Sequence, residues 1–81
     1  MLATKADHKK WLKEGAKQGA SHMFVVFNIV NGDDKPYYVW NRESKFMYAN
    51  IHGRDNNTVS EVYDYSIDLE SQLDELRAFH L

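Results

Sequence analysis

Four histidines, His8, His22, His52 and His80, are the side chains best suited to moving protons or binding metal near neutral pH. Their spacing contains no His-x-His, His-x3-His or His-Glu-x2-His pair, so no single helix or strand offers two of them to one ion, and no metal site is expected. His22 stands apart because it opens an apolar run just after a Gly19-Ala20 helix end. A ring there can bind a ligand or orient a carboxylate. The simpler reading is a hydrogen bond to a carbonyl at the preceding helix end, since a base or ligand needs a partner that the neighbouring sequence does not supply. The adjacent acids Asp33 and Asp34 could hold Mg²⁺ or act on a glycoside. Inside Asn31-Gly32-Asp33-Asp34 they fit a turn with solvated side chains better. No serine lies in a Gly-x-Ser-x-Gly context, and neither Gly-x4-Gly-Lys nor Gly-x-Gly-x2-Gly is present. The chain has no cysteine, which removes thiol catalysis, disulfides and thiolate metal centres. These absences point to binding without catalysis and without a cofactor.

Aromatic side chains carry the stronger signal. Tyr37, Tyr38 and Trp40 lie close together, with Tyr63 and Tyr65 further on. On a strand, Tyr37 and Val39 face one side while Tyr38 and Trp40 face the other. Such residues fill a core, and they also make the anchors of binding surfaces. Arg42 and Lys45 follow directly and suit phosphate groups, with Tyr38 or Trp40 available to stack on a base. Lys5, Lys9, Lys13 and Lys17 form a row at helical spacing. That row is read as a solvated face, or as one paired to the acidic C-terminal region, because a nucleic-acid binder is usually basic overall.

The elements that must position these groups follow from periodicity and caps. A helix is expected over 4–19, with Thr4 and Asp7 at capping-box spacing. Trp11, Leu12, Gly15, Ala16 and Gly19 would share its inner face. Gly15 and Gly19 suit close helix–sheet packing. Residues 22–30 are apolar on both faces, as in a central strand. The turn chemistry of 31–36 leads to a short edge strand over 37–40 that begins after Pro36. Asn41 is the expected cap of a helix to His52 whose inner face holds Phe46, Met47, Asn50 and Ile51. A third strand spans 59–66, and Asp68 caps a last helix carrying Leu69, Leu73 and Leu76. The expected fold is a single α+β domain over 1–81, in the order α-β-β-α-β-α. Its three-stranded, mainly antiparallel sheet has spatial order 2-1-3 and is packed by helices.

At 81 residues the chain is one domain with a small core, so self-association would bury useful area. The net charge of −2 is unevenly placed. Residues 1–20 hold five lysines against Asp7 and Glu14, and residues 61–81 hold six acids against Arg77. The two ends could attract each other within one chain or between two, and the acidic half could mimic nucleic-acid phosphates. No apolar run approaches the length of a membrane helix and no secretory leader is visible, so a cytoplasmic protein without membrane partners is expected.

Longer stretches carry a resemblance. They are Trp11 with Gly15-x3-Gly19-Ala20, His22-Met23-Phe24-Val25-Val26, Pro36-Tyr37-Tyr38-Val39 and Glu61-Val62-Tyr63-Asp64. In this order they resemble a family of small bacterial, plasmid and phage proteins, and the match covers most of the chain. The family more often has a cysteine and an aspartate where this chain has Phe27-Asn28, so that position is not read as a thiol site. The resemblance implies no catalytic residues. It implies an accessory role, such as inhibiting a bacterial immune system by binding a protein effector. Expected partners are such an effector or a second copy of this chain, most simply as a homodimer through the aromatic edge. The alternative is a protein that binds and sequesters a nucleotide signal, and a small enzyme ranks third. The residues singled out for binding are His22, Asp33, Asp34, Tyr37, Tyr38, Trp40, Arg42 and Lys45.

Overall fold

Thr4 starts the first helix, α1 (Lys5–Lys17), and its side chain accepts from Asp7 N while the Asp7 carboxylate accepts from Thr4 N. This is the reciprocal cap that the spacing predicts. Gly19 leaves the helix in a left-handed conformation, φ 74. The computed structural model, which describes residues 2–81, continues with β1 (His22–Asn28), β2 (Asp33–Val39), α2 (Ser44–Ile51), β3 (Asn57–Asp64) and α3 (Leu69–Leu73).

The strands form one sheet in the order β2-β1-β3, and both neighbouring pairs are antiparallel. The central place of β1 follows from its composition, because it is apolar on both faces and helices cover both. Leu12 of α1 packs with Met23, Val25 and Tyr63 on one face, joined by Leu69 and Leu73 of α3. On the other face Phe24, Val26, Val39, Val59 and Val62 meet Met47, Tyr48 and Ile51 of α2. The β1–β3 register slips between Val25 and Val26, leaving Ser60 as an extra residue whose hydroxyl donates to the Val25 carbonyl. No described helix is long and apolar enough to cross a membrane.

Several element ends differ from expectation, each for a local reason. β1 stops at Asn28 because Asn28 Oδ1 accepts from Val30 N and Asn31 N, which turns Ile29 and Val30 out to solvent. β2 begins at Asp33, so Pro36 lies inside the strand and not before it. An edge strand tolerates this, since the missing N–H can face outward. Asn41 does not cap α2, because Asn41 and Arg42 are both left-handed and the helix starts three residues later. The shift exchanges Phe46 and Asn50, which are exposed, for Tyr48 in the inner face. α3 ends at Leu73, so Leu76 is fully exposed, and Ala78 and Phe79 make the apolar contacts instead. That last segment runs parallel to β3 through Val62 N to the Ala78 carbonyl and His80 N to the Val62 carbonyl.

Candidate ligand site at the end of the sheet

β1 begins where β2 and β3 end, so Ser21-His22, the 40–42 turn and Asp64 meet at one end of the sheet. Asn41 and Arg42 hold φ of 57 and 54 there. For non-glycine residues that conformation costs on the order of 1 kcal/mol each. Two contacts fix it. Arg42 N donates to Ser21 Oγ at 3.0 Å. The Arg42 guanidinium donates to the two Asp64 oxygens at 2.8 and 3.4 Å.

Asp64 is the hub of this end. Its Oδ1 also accepts from Ser66 N and Ser66 Oγ, at 2.8 and 2.7 Å. Its backbone is clasped by the buried Gln72, whose Oε1 accepts from Asp64 N at 2.8 Å and whose Nε2 donates to the Asp64 carbonyl at 2.9 Å. Gln72 thus stands in for a strand partner. Burial alone pushes the Asp64 carboxyl up, but the Arg42 guanidinium and the Ser66 donors outweigh it and hold the carboxyl well below the usual range.

The His22 ring lies beneath, only 1 % exposed. Its Nδ1 is 3.1 Å from Ser21 Oγ, not on a helix-end carbonyl as the sequence suggested. Its Nε2 is 3.5 Å from Asp64 Oδ2 and makes no hydrogen bond among the described residues. Burial pushes the ring's pKa down, against the pull of Asp64. Ser21, His22 and Asp64 follow the order of a nucleophilic triad, but their geometry serves another purpose. Ser21 Oγ donates to the Val39 carbonyl at 3.1 Å while accepting from Arg42 N. With both roles occupied, the hydroxyl braces the turn and is not poised to attack.

Beside the cluster opens a cleft of about 400 Å³, bounded by residues 42–46 with His22 and Leu81. It therefore gathers three of the residues chosen from sequence: His22, Arg42 and Lys45. Trp40 adjoins it through Glu43, which also borders a smaller cleft lined by Tyr37, Tyr38 and Trp40. Trp40 is 42 % exposed, and its Nε1 donates to the Gln18 carbonyl. Tyr38 is half-buried, with its hydroxyl on the Trp11 carbonyl. Tyr37 lies on the other face, stacked on Phe24 and bordering a separate cleft with Lys35 and Arg54. Asp33 and Asp34 sit at the far end of the sheet, where Asp34 accepts from Ala3 N at 2.9 Å, so they do not join the cleft.

Sequence reasoning missed Ser21, Asp64 and Gln72 as parts of this site. Asp64 was visible only as the end of the Glu-Val-Tyr-Asp strand, and nothing local paired it with Arg42. A second buried network lies under α1. Tyr63 donates to Glu61 at 2.8 Å, Lys5 pairs with Glu61 at 3.0 Å, and His8 Nδ1 is 3.3 Å from the Tyr63 hydroxyl. It fastens α1 to β3.

No protein-family model, curated protein or solved structure matches the chain.

Proposed function

We propose that this chain is a non-enzymatic protein that binds and sequesters a small anionic ligand of nucleotide type at the end of the sheet. The observation that carries the reading is the convergence of Arg42 and Lys45 on one cleft at the start of α2. A helix start favours negative charge. The groups nearby that resemble catalytic machinery, Ser21 and Asp64, are engaged in holding the 40–42 turn, which supports binding over catalysis. Trp40 lies within reach of the same rim as a stacking surface.

Titration calorimetry against linear and cyclic nucleotides tests the proposal. At least one should bind saturably, and Lys45→Ala together with Arg42→Ala should weaken it by tenfold or more. Silence across the panel would overturn the reading. A second reading, an accessory protein that blocks a bacterial defence effector, is favoured by the exposed Phe46 and Leu81 on the cleft and the exposed Trp40 on the neighbouring one. It is distinguished by an effector, captured from lysate and then purified, that binds the wild type but not Trp40→Ala with Phe46→Ala.

A further inference from the structure

We infer that the groove between α1 and α3 is a docking site for a partner protein, and that its occupant is an acidic segment inserting one aliphatic side chain. The groove lies on the face of the sheet opposite α2 and shares no residue with the cleft at 42–46, so it is independent of the ligand read there.

The groove exists because α3 is short. Leu12 and Ala16 of α1 line one side, and Leu69 and Leu73 of α3 line the other. α3 ends at Leu73, and the chain then leaves to run beside β3. Leu76, next on the same apolar stripe, is carried out to solvent with it. Leu69 and Leu73 are left half-buried, and Ala16 is exposed. The space between the helices is about 130 Å³, the scale of a single aliphatic side chain. Ala16 projects little from α1, so another chain can come close to the helix there.

Charge selects the kind of chain. Lys9, Lys13 and Lys17 follow one another along α1, rising about 6 Å at each step. Lys9 meets Glu70, the one acid on the groove's boundary, at 3.6 Å. Lys13 and Lys17 make no ion pair or hydrogen bond among the described residues. The other acids of α1 are engaged elsewhere and do not border the groove: Asp7 caps the helix with Thr4, and Glu14 accepts from Gln18. An apolar slot beside two unpaired ammonium groups is complementary to an aliphatic side chain with carboxylates to one side of it.

The slot is concave, which argues against a membrane. Peripheral proteins push their own apolar groups into a bilayer, and a bilayer has no protruding side chain to offer a slot. A nucleic-acid backbone would leave the slot empty and bring its phosphates past Glu70. A protein segment satisfies both the slot and the lysines.

The test is an NMR titration of the intact protein with a peptide in which one leucine is flanked by aspartates and glutamates, made in a helix-forming and an unstructured version. At least one version should shift the methyl signals of Leu12, Ala16, Leu69 and Leu73 saturably, with a Kd on the order of 0.1–1 mM at low salt. Added salt should weaken it several-fold, since the lysines are exposed. Alanine in place of the peptide's leucine should weaken binding about tenfold or more. Ala16→Gln, which fills the slot without changing charge, should do the same. So should Lys13→Glu with Lys17→Glu. These positions are exposed, so the melting temperature should stay close to that of the wild type. Lys13→Gln with Lys17→Gln should give a smaller loss in the same direction, which covers the case in which charge reversal unsettles α1. Arg42→Ala, at the other cleft, should leave peptide binding unchanged. Three results would each overturn the assignment. One is an alanine peptide that binds as well as the leucine peptide. Another is tighter binding of a DNA oligonucleotide or of phosphatidylserine vesicles with the same methyl shifts. The third is no saturable shift from either peptide at ~2 mM.

Discussion

Buried histidines make stability depend on pH, and this chain has two. Burial depresses the pKa of His22 against the pull of Asp64, and it depresses that of His8 against Glu61. The unfolded chain takes up these protons near the ordinary 6.5, while the folded chain resists them. Below that pH the unfolded state binds more protons, so stability is full above about 6.5 and is lost as pH falls toward the depressed folded values. Asp64 acts in a separate window. Its folded pKa lies below the ordinary 3.8, so its contribution persists above that value and is lost as pH falls further. The melting temperature should therefore decline in two steps on acidification. His8→Gln with His22→Gln should flatten the first step and spare the second, and a first step that survives both changes would assign it elsewhere. Gln72 supplies a test that needs no titration. Gln72→Leu keeps the volume but strands the N–H and carbonyl of Asp64, at a cost of about 2–4 kcal/mol in urea unfolding. A loss under about 1 kcal/mol would mean that water replaces the amide.

At the scale of elements, Gly15 decides how α1 meets the sheet. Tyr38 and Tyr65 donate their hydroxyls to the carbonyls of Trp11 and Leu12, at 2.8 and 2.7 Å. A Cβ on Gly15 would overlap the Tyr65 hydroxyl and come within 2.7 Å of the Tyr38 ring. Alanine normally stabilises a helix interior by about 1 kcal/mol over glycine. Here Gly15→Ala is expected to cost about 1–3 kcal/mol, because two anchored rings must move. A stabilised variant in chemical denaturation would show that the tyrosines swing aside freely. The close approach at Gly15 was legible in its place on the apolar stripe, and the sheet order in the doubly apolar 22–26 run. Element ends were less legible, since side-chain bonds to the backbone set them. Asn28 bends its own strand, and Ser21 and Asp64 hold Arg42 left-handed from far along the chain. The same distance hid half of the candidate site. Arg42 and Lys45 could be chosen by type and proximity, but the pairing of Arg42 with Asp64 spans 22 positions and follows only from the register of β3 beside β1.

At the scale of the whole molecule, the sheet is covered on both faces and along one edge by the chain itself. Helices cover both faces of the sheet, and residues 78–80 line the outer side of β3. The charge contrast between the chain ends is answered in part internally, by Lys9 with Glu70 at 3.6 Å and Lys5 with Glu61 at 3.0 Å. The Cα radius of gyration, 11.7 Å, is what a separate domain of this length should have, about 12 Å. The open edge is β2, and pairing there was expected because no proline seemed to interrupt 37–40. Pro36 lies within β2, however, next to an exposed Lys35, and both are features that guard an edge against a second strand. Tyr38 and Trp40 are also occupied, each donating to a carbonyl at or just beyond α1. Replacing both with glutamate should therefore act on folding and not on association. Tyr38→Glu with Trp40→Glu is expected to cost about 3–5 kcal/mol, since it removes an anchored aromatic and places a charge against Gly15. Light scattering at micromolar concentration should give one 9.5 kDa chain for the wild type and an unchanged mass for any variant protein that stays folded. A wild-type dimer that these substitutions convert into a stable, folded monomer would restore the aromatic edge as an interface. It would also show that Pro36 does not block it.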